Sequence, residues 1–232
     1  MNRFNSSNPK FIDDIKFIED YNKCTSSSLK LIVDKEIILA GNLNFSAIIA
    51  QEKYEGSFVI KVIFSYDYPT TIPKTYNVNN EIEKEYGHFL QNSNLLCLGV
   101  PTDIFLKINH NDSIEYFLKY ILIPYYVSYQ YWDNNKGKKL FNERSHGITG
   151  IQEYYLDYFH VNSIQIMFRL LSLLEIHRIT NKDLCPCRSG RKYTKCHYNS
   201  IQQLKLSPYA IDEYHKMRNK MLKDSINSVL CR

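Results

Sequence analysis

Apolar positions change their spacing several times along the chain, and each change marks an element. Asn8 and Pro9 offer a cap and a favoured first helical residue, and Phe11, Ile15 and Ile18 then recur at helical intervals. One amphipathic helix of about fifteen residues is predicted. Four segments rich in β-branched residues follow, at Leu29–Val33, Leu43–Ala50, Ser57–Phe64 and Lys74–Val78. In the third, Phe58, Ile60, Val62 and Phe64 alternate with Val59, Lys61 and Ile63, the period of a strand with one face in a core. Asp34-Lys35, Gly41-Asn42 and Glu55-Gly56 look like the connecting turns, which predicts a meander of about four antiparallel strands.

Regular spacing lapses from Asn79 to Asn111, a stretch with an isolated apolar patch at Leu95-Leu96-Cys97-Leu98. A segment this long and this apolar is expected to be a structured binding or active-site loop rather than disorder. Asp112, with Glu115 three positions on, reads as a capping box. Ile114, Phe117, Leu118, Ile121, Leu122 and Tyr125 then mark a core-facing helix that Pro124 is expected to kink. After another break at Asn134–Gly150, helical spacing resumes with Ile164, Met167, Leu171 and Leu174. A last segment opens at Ser207-Pro208 and carries Ile211, Met217, Met221 and Leu222.

Composition narrows the class. A chain of 232 residues that is 44% hydrophobic and 23% charged is an ordinary folded protein, which excludes disorder and collagen-like repeats. No basic segment followed by an apolar run opens the sequence, and the most apolar later window, Tyr120–Tyr129, contains Pro124. Neither a secretory signal nor a membrane span is expected, and the compartment expected is the reducing cytoplasm. Six cysteines are then metal ligands, catalytic groups or buried apolar groups rather than a disulfide scaffold. Cys24, Cys97 and Cys231 stand alone, whereas Cys185, Cys187 and Cys196 fall within twelve residues.

Charge is unevenly spread. From His177 to Arg232 there are 12 basic and 4 acidic residues, against 17 basic and 20 acidic before them. A basic tail suits nucleic acid or an acidic partner, and it equally suits a solvated helix beside a thiolate-rich site.

Residues 185 to 198 read CPCRSGRKYTKCHY, which spaces ligands as Cys-x-Cys, eight residues, then Cys-His. Zinc takes four nitrogen or sulfur ligands in a tetrahedron, and Cys185, Cys187, Cys196 and His197 form a closed set, the mark of a structural ion. Arg188, Arg191, Lys192 and Lys195 favour the thiolates, and Gly190 permits the reversal that joins the two pairs. The segment closely resembles the SEC-C motif, whose pattern is C-P-C-G-S-G-x-K-[YF]-K-x-C-H. Here Arg188 replaces the first glycine of that pattern and Thr194 a lysine, and both changes spare the ligands. The resemblance implies an accessory docking or nucleic-acid-contacting module.

Cys97 sits in NLLCLGVP. Pattern alone makes it a small buried hydrophobe, whereas its place in an irregular loop suits a partly exposed nucleophile. The order of elements is helix, four-stranded meander, Tyr68-Pro69 turn, loop with His88, Leu-Cys-Leu, then helix. It resembles the ubiquitin-conjugating-enzyme fold, especially its divergent bacterial branch from antiphage operons. The likeness spans about residues 8 to 160 and implies that Cys97 forms a thioester, with His88 at the family's loop-histidine position. Phe89-Leu90 stand where the family has Pro-Asn, so the asparagine that steadies the oxyanion is sought at Asn92 or Asn94. His88 itself either holds a turn or moves protons.

Several residues suggest bland roles. His146, in Glu143-Arg144-Ser145-His146-Gly147, is expected to cap a turn, although it could approach Cys97. Tyr125, Tyr126, Tyr129 and Tyr131, with Tyr154, Tyr155 and Tyr158, are expected to be half-buried core. The expected architecture is α+β: a ubiquitin-conjugating-like domain over residues 1–160, a connecting helix over 161–183, a zinc motif over 184–199 and a basic helix over 200–232. The expected partners are an activating enzyme and a ubiquitin-like modifier, or an operon partner such as a cyclic-oligonucleotide synthase. The alternative is an inactive adaptor whose zinc-bearing tail docks on nucleic acid or protein.

Overall fold

The computed structural model describes residues 3–49, 51–90, 93–138, 143–176 and 183–230, without the side chains of Ile49 and of 225–230. The chain is mixed α+β and divides into two compact units, Met1–Gly99 with Lys107–Glu143, and Val100–Leu106 with Arg144–Arg232.

The first unit opens with helix α1, Pro9–Thr25, capped by the Asn8 side chain on Lys10 N–H. It buries Phe11, Asp14 and Ile18, while Ile15 is exposed. The carboxylate, not Ile15, faces inward because it meets the Arg3 guanidinium at 2.5 Å and accepts the Ile114 N–H at 2.9 Å.

Strands β1 (Lys30–Val33), β2 (Ile37–Ile49), β3 (Glu52–Phe64) and β4 (Lys74–Asn77) form an antiparallel sheet in sequence order. Leu39 pairs with Val62 and Leu43 with Phe58, so the inward faces of β2 and β3 meet in one apolar layer. The proposed turns at Gly41-Asn42 and Glu55-Gly56 lie inside β2 and β3. Both glycines answer a close approach rather than a reversal. A Cβ at Gly41, whose φ is +135°, would stand 2.2 Å from the Ser28 carbonyl oxygen. One at Gly56 would stand 2.6 Å from the Phe45 ring.

Helix α2 (Pro101–His110) occupies the end of the stretch expected to be irregular. Pro101 suits its first turn, and Ile104, Phe105 and Ile108 bury a helical face. Helix α3 (Ile114–Phe117) is capped by Ser113, whose hydroxyl accepts Tyr116 N–H, and not by Asp112, which pairs with Arg3 and Lys10. A π turn over Leu118–Leu122 leads straight into α4 (Ile123–Asn134). The wider turn comes just before Pro124, which has no N–H to give the helical ladder. Tyr126 stacks on Phe58 at 4.3 Å between centroids, which fixes α4 on the sheet.

The second unit is helical: α5 (Gly147–Phe159), α6 (Ile164–Leu171), α7 (Tyr198–Leu206) and α8 (Ala210–Leu230). α5 holds Tyr154, Tyr155 and Tyr158, the tyrosines expected as half-buried core, and begins within the expected break at Asn134–Gly150, while the expected single basic helix after residue 200 is the pair α7 and α8. Tyr154, Tyr155 and Phe159 of α5 share one core with Leu170, Leu171, Ile201, Leu204 and Met217. The first compact unit therefore closes at Glu143, short of residue 160. Glu213, 2% exposed, accepts the Thr102 N–H at 3.0 Å and the Tyr155 hydroxyl at 2.6 Å, so a buried carboxyl secures the first turn of α2. Among the described residues, no helix is long and apolar enough to cross a membrane.

Candidate functional site

Two sulfur-bearing sites emerge, one in each unit. In the second unit, the ligand atoms of Cys185, Cys187, Cys196 and His197 all lie within 4.8 Å of one another. The His197 Nδ1 is 3.3 Å from the Cys185 sulfur and 3.2 Å from that of Cys196, and the Cys187 and Cys196 sulfurs are 3.6 Å apart. Metal–sulfur and metal–nitrogen bonds of about 2.3 and 2.0 Å in a tetrahedron require donors about 3.5 Å apart. The donor set and its spacing thus fit zinc.

Backbone bonds shape this knuckle. Cys185 N–H donates to the Arg191 carbonyl at 2.8 Å and Tyr193 N–H to that of Asp183 at 2.9 Å, which brings the Cys-x-Cys arm beside the Cys-His arm. Arg188 (φ 65°) and Gly190 (φ 73°) turn the chain between them. Outside the donor set, the Nε2–H of His197 donates to the Phe159 carbonyl at 3.0 Å. That bond leaves the Nδ1 lone pair for a metal and ties the knuckle to the end of α5. Burial pushes the Cys185 thiol up. Burial acts likewise on Cys187, but hydrogen bonds from the Ser189 hydroxyl and N–H outweigh it and hold that thiol below its ordinary value. Cys185, Cys187 and Tyr193 are buried in the same core as α5 and α7, so the knuckle is part of the unit's interior.

Residues 182–199 match the SEC-C motif. The match covers the donor cluster and a small part of the chain. No curated protein and no solved structure matches the chain.

In the first unit, Cys97 lies at the end of a short pinned loop. Leu96 N–H donates to the Thr75 carbonyl and Asn77 N–H to that of Asn94, both at 2.8 Å, so the loop extends the β4 edge. On its other side, Leu90 N–H reaches the Leu95 carbonyl and Cys97 N–H reaches the His88 carbonyl, again both at 2.8 Å. Leu96 is buried, while Cys97 is half-buried. Burial raises the Cys97 thiol, and the Gly99 N–H partly offsets that.

His88 sits beneath this loop. Its Nε2 contacts the Glu143 carboxylate, whose Oε1 also accepts the Tyr86 hydroxyl at 3.3 Å. The Tyr86 and His88 rings lie 4.4 Å apart, and the Tyr125 hydroxyl donates to the His88 carbonyl at 3.2 Å. His88 therefore braces the loop from both its ring and its carbonyl. Glu143, Tyr86 and Tyr125 were not foreseen in this role. Tyr125 carried only a core-helix spacing, and Glu143 is remote from His88 in sequence.

Asn94 is exposed, with its carbonyl on β4, and Asn92 lies outside the described residues. His146 occupies the position before α5 without giving that helix a side-chain cap. Cys24 is exposed, and Cys231 lies outside the described residues.

Proposed function

We propose that the first unit is a ubiquitin-conjugating-like domain that carries an acyl group as a thioester on Cys97. The second unit is built around a structural zinc ion held by Cys185, Cys187, Cys196 and His197. The seat of Cys97 is the observation that carries this proposal: a half-buried thiol ends a loop pinned to β4 and braced by His88. Support also comes from the element order, in which α1, a four-strand meander and the Tyr68-Pro69 turn precede the His88 loop, Leu-Cys-Leu and α2.

In the first step the Cys97 thiolate attacks the activated C-terminal carbonyl of a ubiquitin-like modifier or an operon partner such as a cyclic-oligonucleotide synthase. A C–S bond forms and the activating enzyme's leaving group departs. A target amine then attacks the thioester, forming the C–N bond and breaking C–S, and Cys97 recovers its proton as the amine loses one. The N–H groups of Leu90, Leu96 and Cys97 are spent on pinning the loop, so the part the family assigns to an asparagine falls to Asn94 as the side-chain candidate. Zinc, once bound, supplies four bonds that crosslink the Cys-x-Cys and Cys-His arms, and a closed Cys3His set leaves no position for substrate.

Mixing the protein with a candidate activating enzyme, ATP and modifier is expected to give an adduct that dithiothreitol releases and that Cys97→Ala lacks. An adduct that survives Cys97→Ala contradicts the assignment. One observation favours an inactive adaptor instead: the Cys97 thiol is raised by burial, which opposes nucleophilic attack near neutral pH. Absence of any adduct, together with salt-dependent nucleic-acid binding that requires the basic second unit, would decide for the adaptor.

A further inference from the structure

The three sulfurs of the knuckle are not equally accessible. Cys185 is 3% exposed and Cys187 9%, whereas Cys196 is half-buried. The surface beside the knuckle is walled by Cys187 and Cys196, and Cys185 is not among its lining residues. A small solute therefore meets two of the sulfurs before the third.

Those two are also a pair. Their sulfurs lie 3.6 Å apart, and the Ser189 hydroxyl spans them at 3.2 Å from Cys187 and 3.5 Å from Cys196. Bonded sulfurs stand about 2.0 Å apart, so small side-chain rotations close this gap. The residues between Cys187 and Cys196 include Gly190, which leaves the intervening turn free to adjust. A bond from Cys187 to Cys185 would instead close a ring over the single residue Pro186, whose φ is fixed.

This pairing also takes one donor from each arm of the knuckle. Cys187 belongs to the Cys-x-Cys arm and Cys196 to the Cys-His arm. With both gone, only Cys185 and His197 remain for an ion that takes four ligands.

We infer that Cys187 and Cys196 form a reversible oxidation site, at which hydrogen peroxide expels the metal. The Cys196 thiolate, the more accessible of the two, attacks peroxide. An S–O bond forms, the O–O bond breaks, and the departing hydroxide takes up a proton and leaves as water. The Cys187 thiolate then attacks the sulfenic sulfur, forming S–S and breaking S–O, and a second hydroxide leaves as water. Two thiolates lose two electrons in all, peroxide accepts them, and solvent supplies two protons. Cys185 remains a thiol, and a dithiol restores the pair by thiol–disulfide exchange. The inference rests on the zinc reading of the knuckle and is independent of Cys97.

Peroxide treatment of the metal-loaded full chain, its zinc content measured first, tests the assignment. Released zinc is read with a chromogenic chelator, and thiols trapped with N-ethylmaleimide are mapped by mass spectrometry. A Cys187–Cys196 disulfide, a maleimide adduct on Cys185 and release of about one zinc per chain are expected. Dithiothreitol with added zinc should restore thiols and metal together, and Cys97→Ala should release zinc at the wild-type rate. A chain without zinc at the outset would refute the metal site, and the oxidation site with it. Zinc retained at a peroxide dose that fully oxidises glutathione would overturn the oxidation site alone. So would a disulfide that includes Cys185, or release through sulfinic acids that dithiothreitol does not reverse.

Discussion

Cys97 and the knuckle cysteines belong to one chain yet meet opposite environments. At the knuckle four donors converge within 4.8 Å, a histidine is oriented by a backbone carbonyl, and cations surround the thiolates. At Cys97 a single thiol ends a loop held by backbone bonds, with burial opposing its ionisation. The role of a sulfur atom is thus decided by how many donors the backbone brings together. Convergence suits a shared metal ion, and isolation at a pinned loop leaves the one thiol to which the proposal gives a nucleophile's part in acyl transfer.

The most severe way to break this contrast is to remove the metal. Apparent metal-binding energies of structural zinc sites reach on the order of 10 kcal/mol, so chelation or Cys185→Ser should unfold the helical unit. Hydrogen exchange should show α5 and α7 losing protection while the β2–β3 ladder keeps it. Equal loss in both would show that the knuckle is not specific to its own unit.

A smaller effect is expected at the brace of the other site. Glu143→Ala strips the partner from a mostly buried histidine and a tyrosine, which should cost about 2–3 kcal/mol and lower Tm by roughly 5–10 °C. Cys97 should also alkylate faster in that variant, since its loop loses an anchor. Unchanged stability and unchanged alkylation would remove His88 and Glu143 from the account.

Cys97 differs from Cys187 of the knuckle in titration as well. Burial raises its pKa, so its thiolate fraction at neutral pH is below that of a free cysteine peptide. The alkylation rate is expected to be several-fold slower at neutral pH and to climb at a higher pH than for the peptide. A profile lying below that of the peptide would reverse the sign. The mildest change is at Arg188, a left-handed residue where the SEC-C pattern has glycine. Arg188→Gly relieves that conformation at some cost in chain entropy, for a net gain of roughly 0.5–1 kcal/mol, read as a small rise in Tm. Thermal denaturation that shows a loss instead would mean that the Arg188 side chain supports the knuckle.

Local features were the ones legible in the sequence. The knuckle spans so few residues that spacing and residue type alone brought its donors together. The alternation of Phe58, Ile60, Val62 and Phe64 likewise identified a strand, because period two is a short-range signal. Gly41 and Gly56 misled because a glycine required by a close approach looks in sequence like one required by a turn. Asp14 lies inward for Arg3 and for the Ile114 N–H, both distant in sequence, so the helical stripe alone pointed to Ile15. The His88–Glu143 contact has the same character, joining two residues that no local pattern connects.

Alkylation mapping of the purified, metal-loaded chain tests the division of sulfur roles most directly. With iodoacetamide above neutral pH, Cys97 should be modified whether or not a chelator is present. Cys185, Cys187 and Cys196 should stay unmodified until the chelator is added, then react together. Modification of the three knuckle cysteines before chelation, or protection of Cys97 that only chelation lifts, would contradict the account.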